Sequence, residues 1–177
     1  MTPRVPPHNK SRSGFTLIEL AVVISIVAVA TGLLLERALF YQEQAEKAAM
    51  EQTLGIVRSA LHLQVASLLA KNKTDELPKL VERNPMEWLA EKPKNYAGEY
   101  YAPRPGDVTP GNWYFDLHGR NLIYFVKSKN HFISGEKGLD LIRFRVKTVD
   151  TIQGHAHEGG RAVEGVVLEQ VVPYTWF

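Results

Sequence analysis

The sequence predicts an α+β protein in which one long N-terminal helix packs on a small antiparallel β-sheet. Two patterns carry this prediction. An apolar run at residues 15–35 continues into a stripe of apolar residues spaced by three and four, and short alternating segments fill the second half of the chain. The 177 residues are 45% apolar and 23% charged. This composition is typical of a globular chain and argues against wholesale disorder.

The apolar run reads FTLIELAVVISIVAVATGLLL and contains one ionisable side chain, Glu19. As a helix it would be about 31 Å long, enough to cross a hydrocarbon core of about 30 Å. A secretory signal peptide has a shorter apolar region followed by small residues, whereas Leu35-Glu36-Arg37 follows here. We therefore predict one transmembrane helix. A simple anchor does not explain Glu19, because a carboxylate is costly in lipid and marks a functional candidate.

The charges around the run predict its orientation. Residues 1–14 contain Arg4, Lys10 and Arg12 and no acidic residue, and Glu36 follows the run. The positive-inside rule places the N-terminus in the cytoplasm and the rest of the chain outside the inner membrane. Without the first 14 residues, 18 basic and 19 acidic residues remain, a net charge of −1. A near-neutral remainder gives no electrostatic case for nucleic-acid binding.

The segment around the start of the run carries a specific motif. Residues 13–20 read SGFTLIEL, so that a basic leader, a Gly and then Phe-Thr-Leu-Ile-Glu open the apolar span. This segment resembles the processing site of type IV pilins and type II secretion pseudopilins. The resemblance implies that a membrane-embedded prepilin peptidase cuts after Gly14 and methylates the new amine of Phe15. It also implies that Glu19 serves filament assembly by pairing with the N-terminal amine of a neighbouring subunit.

The same resemblance implies a domain organisation and a function. Residues 1–14 would be the leader peptide, 15–35 the transmembrane helix and 36–177 a periplasmic pilin-like domain. The chain would be a non-enzymatic structural subunit of a type II secretion pseudopilus or a type IV pilus. Its partners would be the prepilin peptidase, other pilins or pseudopilins and the inner membrane. The residues themselves lead us to expect no cofactor, metal or nucleic acid. Many major pilins have a disulfide-closed loop, and the chain has no Cys. The missing disulfide argues against a major pilin of that type, so the chain would be a pseudopilin or a minor pilin.

A second function class stays open. The chain could be a single-span inner-membrane sensor or ligand-binding protein with a periplasmic domain. The mature N-terminus distinguishes the two classes, because only a prepilin would be cut after Gly14 and methylated.

The apolar stripe predicts that the helix continues from Phe15 to about Ala70 and ends in residues 71–75. Glu43 and Lys47 have the spacing of a favourable i,i+4 pair, which we assign to the polar side. The stripe consists of six residues: Met50, Leu54, Val57, Leu61, Val65 and Leu68.

The remaining elements follow from turn and alternation signals. Asn84-Pro85-Met86-Glu87 has the cap, proline and acidic residue of a helix start. Residues 93–111 are rich in Pro and Gly and predict a surface loop. Residues 112–116 and 122–126 predict a hairpin, whose turn is at 118–121. Further strands at 140–147 and 163–172 complete a predicted four-stranded antiparallel sheet. Its core would include five hairpin aromatics: Trp113, Tyr114, Phe115, Tyr124 and Phe125.

Other candidate chemistry is weaker. His155, His157 and Glu158 are residue types that bind zinc, but glycines surround them, and we expect solvated loop side chains. Asp140 and Asp150 are too sparse to predict a calcium site.

Three cations alternate along one predicted strand: Arg143, Arg145 and Lys147. They could contact phosphates of DNA, as in DNA-uptake pilins, but a solvated strand face explains the same alternation, and we favour it. No catalytic triad, carboxylate pair or phosphate loop has usable spacing, so we do not expect an enzyme.

Overall fold

The structure is a computed structural model that describes residues 15–104, 106–136, 138–150 and 163–177. The chain divides into two compact units, Met1–Tyr41 and Gln42–Phe177. The first contributes the apolar part of the helix, and the second contains the sheet and its core.

One helix, α1, runs from Leu17 to Ala70, close to the predicted limits. It ends in a Schellman motif: Asn72 adopts a φ of 53°, its N–H donates to Leu69 O at 3.0 Å, and Lys73 N–H donates to Leu68 O at 2.9 Å. The predicted termination in residues 71–75 is therefore confirmed. The helix stops here because a left-handed residue reverses the chain and satisfies the last carbonyls.

Two 3-10 helices follow, Thr74–Glu82 and Pro85–Trp88. The first was not predicted, and it buries Leu77 and Leu80 in the core. The second begins at the predicted cap, where Asn84 Oδ1 accepts the N–H of Met86 at 3.0 Å.

The main sheet has five strands in the spatial order β1-β2-β3-β5-β6. A separate two-stranded sheet pairs β4 with β7. The strand bounds are β1 Tyr96–Tyr100, β2 Trp113–Asp116, β3 Asn121–Phe125, β4 Phe132–Ile133, β5 Leu141–Asp150, β6 Val163–Gln170 and β7 Thr175–Trp176. The predicted hairpin is confirmed as β2 and β3, in which Trp113 faces Tyr124 and Asp116 faces Asn121.

The prediction of four antiparallel strands is wrong in two respects. Residues 93–111 are not all loop, because β1 lies within them and pairs in parallel with β2. Gly98, with a φ of 111°, lies within β1 where the register shifts between Tyr96 and Glu99. A glycine accommodates such an irregularity within a strand, so the glycine that suggested a loop belongs to a strand instead. The short strands β4 and β7, which pair with each other, were also not predicted, and β7 follows β6, which we predicted to be the last strand.

The core of the second unit confirms the apolar stripe. Met50, Leu54, Val57 and Leu61 are buried, and Val65 and Leu68 pack on the same cluster. Alternate residues of the sheet complete it, including Ile142, Phe144 and Val146 of β5. Of the hairpin aromatics, Trp113, Tyr114, Phe115 and Tyr124 are buried, and Phe125 packs on a second, smaller cluster. The α+β class is therefore confirmed: a long apolar helix is followed by a small, mostly antiparallel sheet.

Candidate functional site

The first turn of α1 is fixed by Thr16. Its Oγ1 accepts the backbone N–H of Glu19 at 3.3 Å, and its carbonyl accepts the N–H of Leu20 at 3.1 Å. Thr16 and Glu19 have the Ser/Thr-x-x-Glu spacing of a capping box. Glu19 therefore lies in the first helical turn, where a carboxylate interacts favourably with the helix dipole.

The carboxylate of Glu19 lies among exposed apolar side chains. Phe15, Leu17 and Ile18 are 75–88% exposed. Within the described residues no hydrogen bond or ion pair involves this carboxylate. If the segment enters an apolar environment, Glu19 therefore needs a partner from outside the described part of the chain.

The helix around Glu19 also meets the physical requirements of a membrane span. In the described residues, α1 is the one helix long and apolar enough to cross a membrane, and its most apolar window is entirely exposed. Because backbone polar groups must be satisfied internally in lipid, a continuous helix is the form that a single span requires. Phe15 is described and lies just before the helix, whereas Gly14 falls outside the described residues.

A second site lies within the Gln42–Phe177 unit, and sequence reasoning missed it. Glu43 is fully buried. Its Oε1 accepts the backbone N–H of His131 at 2.9 Å and the indole N–H of Trp176 at 3.0 Å, and its Oε2 lies 2.9 Å from His131 Nδ1. We call these three residues the Glu43 anchor. It ties α1 to β7 and to the loop before β4.

Glu46 extends this attachment by one helical turn. Its Oε1 accepts the hydroxyl of Tyr124 at 3.0 Å and the N–H of Lys127 at 2.7 Å, and its Oε2 accepts the N–H of Ser128 at 2.8 Å. Burial, and then the neighbouring Glu46 carboxylate, raise the pKa of Tyr124 above its ordinary value. Tyr124 therefore remains a donor to Glu46 throughout the neutral range.

The predicted pair of Glu43 with Lys47 on the polar side is wrong. Glu43 points into the fold, and the Lys47 ammonium instead donates to Trp176 O at 2.8 Å and lies 3.9 Å from Glu51. A signal was present in the sequence, since Glu43 lies seven residues before Met50 and so continues the apolar stripe. The predicted stripe was defined by apolar residues, so a carboxylate at the same spacing was left out of it.

The Glu43 anchor makes the second unit sensitive to acid. Burial by itself would raise the pKa of Glu43, but the hydrogen bonds from His131 and Trp176 outweigh it and hold the pKa below its ordinary value of 4.5. A carboxyl with a lowered folded pKa stabilises the fold fully above its unfolded pKa and loses that contribution as pH falls through the folded pKa. We expect the thermal midpoint of the full chain in detergent, followed by tryptophan fluorescence, to fall below about pH 4.5.

Glu43→Gln should lower the midpoint at pH 7 and flatten its fall in acid. The control is Glu51→Gln, which changes an exposed carboxylate on the same helix. Equal pH profiles for the two variants would contradict a role for the Glu43 anchor.

The cations of β5 all have acceptors within the protein. Arg143 Nε lies 2.9 Å from Glu136 in an ion pair without hydrogen-bond geometry, and Lys147 Nζ lies 2.8 Å from Glu169. Arg145 donates to Asn121 Oδ1 and Gly119 O at 2.9 and 2.8 Å. The row that suggested phosphate contacts is therefore engaged in bonds within the sheet and its loops. These contacts support the interpretation of a structural strand face.

The described residues contain no group of three or more His, Asp or Glu arranged to hold a metal ion. Asp140, considered above for calcium, pairs with Lys129 at 2.5 Å. His155, His157 and Glu158 lie outside the described residues.

Comparison with known proteins gives one finding. Residues 9–35 match the family model of the prokaryotic N-terminal methylation motif, which is the prepilin-type motif of type IV pilins and pseudopilins. The predicted resemblance is therefore confirmed for this segment, which includes Gly14, Phe15 and Glu19. Searches of curated proteins and of solved structures found no match.

Proposed function

We propose, from the premise that this chain carries the prepilin-type methylation motif, that it is a structural subunit of a type II secretion pseudopilus or a type IV pilus. The observation that carries the proposal is the continuity of the matched residues 9–35 with a helix whose apolar side chains are exposed. Such a helix is stable in lipid and equally in a bundle of similar helices, because both surroundings are apolar. Subunits can therefore leave the membrane for a filament at little cost.

Maturation would define the functional N-terminus. Cleavage after Gly14 would remove the leader and its basic residues and leave Phe15 as a methylated first residue. The new amine would then lie one helical turn from Glu19 along α1. The Thr16 cap supports this arrangement, because it holds the first turn in helical form on the mature side of the proposed cut.

Glu19 would set the register between subunits. A buried carboxylate without a partner costs several kcal/mol, whereas the amine of a neighbouring subunit offsets part of that cost. Misaligned stacking would leave the charge unpaired, so the same interaction would reject it. The exposed position of Glu19, without an intrachain ion pair in the described residues, supports a role in contacts with other subunits.

The test is the intact mass of the protein purified from a host that has a prepilin peptidase. We expect the mass of residues 15–177 plus one methyl group. Gly14→Val should retain the leader, because the peptidase must accommodate the residue before the cut and a branched side chain obstructs it. A matched control is Gly32→Val, since a side chain at Gly32 meets no atom within 4 Å. Normal maturation of Gly14→Val would sink the proposed cut.

The alternative, a single-span sensor or binding protein, gives a different result in the same experiment. An intact Met1, or a mature N-terminus elsewhere than Phe15, would favour it. The matched motif makes the structural subunit the better supported function.

A further inference from the structure

A cavity lies on the sheet face opposite the main core. Strand side chains alternate between the two faces, and Trp113, Phe115 and Leu122 enter the main core whereas Tyr114 and Ile123 form a second cluster. This second face borders a cavity of about 490 Å³. Cavities of roughly 300–1,000 Å³ are typical of small-molecule sites.

The floor of the cavity is apolar and is formed by two neighbouring strands. Tyr114 and Ile123 are buried on neighbouring strands, with Val108 packed against them and Phe125 and Leu141 beside them. The ring of Tyr100 meets the ring of Tyr114 edge to face, with centroids 6.0 Å apart. Among the lining side chains, Tyr114 and Phe125 present aromatic rings held by the sheet, and such rings suit a flat apolar ligand.

One polar group in the floor has no partner. Tyr114 is 5% exposed, lines the cavity and makes no hydrogen bond through its hydroxyl within the described residues. Its oxygen retains some solvent contact, and Tyr114 lines the cavity. Burial raises the pKa of Tyr114, which keeps the phenol protonated at neutral pH. The floor therefore offers a hydrogen-bond donor.

Some of the charged groups that line the cavity have partners within the protein, and others do not. Asp116 accepts the N–H groups of His118 and Gly119, and Asp140 pairs with Lys129. Arg143 Nε lies 2.9 Å from Glu136 in an ion pair that lacks hydrogen-bond geometry. The guanidinium of Arg104, which also lines the cavity, makes no ion pair or hydrogen bond within the described residues. Within the described residues, Arg143 Nε is buried without a hydrogen bond, whereas the Tyr114 phenol and the exposed Arg104 guanidinium reach solvent, and a carboxylate accepts hydrogen bonds from both of these groups.

We propose that this cavity binds a compact, flat apolar molecule that carries a carboxylate, with the apolar body on Ile123 and the carboxylate reached by Tyr114 and Arg104. Such a site goes beyond the filament role, since none of its residues lies on α1. It would let the second unit take up an aromatic acid independently of assembly.

The probe is naphthalene-2-carboxylate, titrated calorimetrically into the full chain in lipid nanodiscs, with empty nanodiscs as the blank. We expect Tyr114→Phe, which keeps the ring, to weaken binding about threefold to tenfold, the effect of one hydrogen bond. Arg104→Gln should weaken binding of the carboxylate by a similar factor and leave binding of the neutral naphthalene-2-carboxamide unchanged. The control is Lys94→Gln, an exposed cation that does not line the cavity.

The proposal is overturned if the wild-type protein shows no more heat than empty nanodiscs, or if Tyr114→Phe and Arg104→Gln bind the probe like the wild type. Thermal midpoints of all three variants verify that the fold is intact. If Tyr114→Phe is destabilised, the test rests on Arg104→Gln, for which the loss of affinity for the carboxylate is compared with that for the carboxamide. Equal losses for both ligands there would exclude recognition of the carboxylate.

Discussion

Glu19→Leu is expected to insert into the membrane and to be cut after Gly14 like the wild type, but to enter filaments poorly. Insertion is preserved because the substitution makes the span more apolar, and cleavage is preserved because Gly14 and Phe15 are unchanged. Assembly falls because the amine of the neighbouring subunit loses its partner. Each 1.4 kcal/mol lost at a contact lowers its association constant about tenfold, and breaking a buried pair costs more than that. Shear fractions or crosslinking in a strain with the assembly machinery measure the effect.

Two further variants separate charge from position. Glu19→Gln keeps a hydrogen-bonding side chain without the charge, so it should assemble as poorly as Glu19→Leu if the ion pair matters. Glu36→Gln removes the acidic residue after the apolar run and should assemble normally. Incorporation of Glu19→Leu at the wild-type level would falsify the pairing role. The chain would then be interpreted as a membrane anchor with a prepilin-type leader.

Leu61→Asp is expected to unfold the Gln42–Phe177 unit. Leu61 is 1% exposed at the centre of the stripe, between Val57 and the partly buried Val65. The substitution removes a large apolar side chain and places a carboxylate where the surrounding cluster is apolar. Each effect costs several kcal/mol, which together approach the whole stability of a domain of this size, about 5–15 kcal/mol. Near-ultraviolet circular dichroism of the full chain in detergent should lose its aromatic signals.

The matched control is two residues further along the same helix. Leu63 is 70% exposed, so Leu63→Asp places the same charge in water and should change the free energy of unfolding by less than about 0.5 kcal/mol. A cooperative, native-like transition for Leu61→Asp would show that the stripe does not form the core. Equal effects at the two positions would point to helix propensity or charge instead of burial.

The predictable parts of the fold are those in which one pattern determines one structure. The spacing of Met50, Leu54 and Val57 is that of one helix face, and the alternation of Ile142, Phe144 and Val146 is that of one strand face, because burial imposes these periods. The capping residue Asn84 was predictable for a similar reason, since its side chain satisfies a donor only a few residues away. In each case the cause lies within the segment itself.

The missed features depend on residues that are distant in sequence. β1 forms because residues 96–100 pair with the edge of β2. The composition of this segment, which includes Gly98, does not by itself predict a strand. Glu43 is buried because His131 and Trp176 bring donors to it, and those partners are 88 and 133 residues away. The cavity beside Tyr114 likewise depends on two loops that are distant in sequence, so the hydroxyl without a partner in the described residues was not predictable. The motif that contains Glu19 was predictable from the sequence because its residues are contiguous.

The Glu43 anchor has a consequence for the timing of folding during synthesis. Glu43 bonds to a residue 133 positions later, so the attachment cannot form until about that much more chain has been made. At about 5–20 residues/s this takes roughly 7–27 s. The apolar residues 15–35 would be available to the membrane for all of that time. The chain would therefore be anchored in the bilayer before its second unit can finish folding. The incomplete sheet of each nascent molecule would stay near the membrane until β7 has been synthesised.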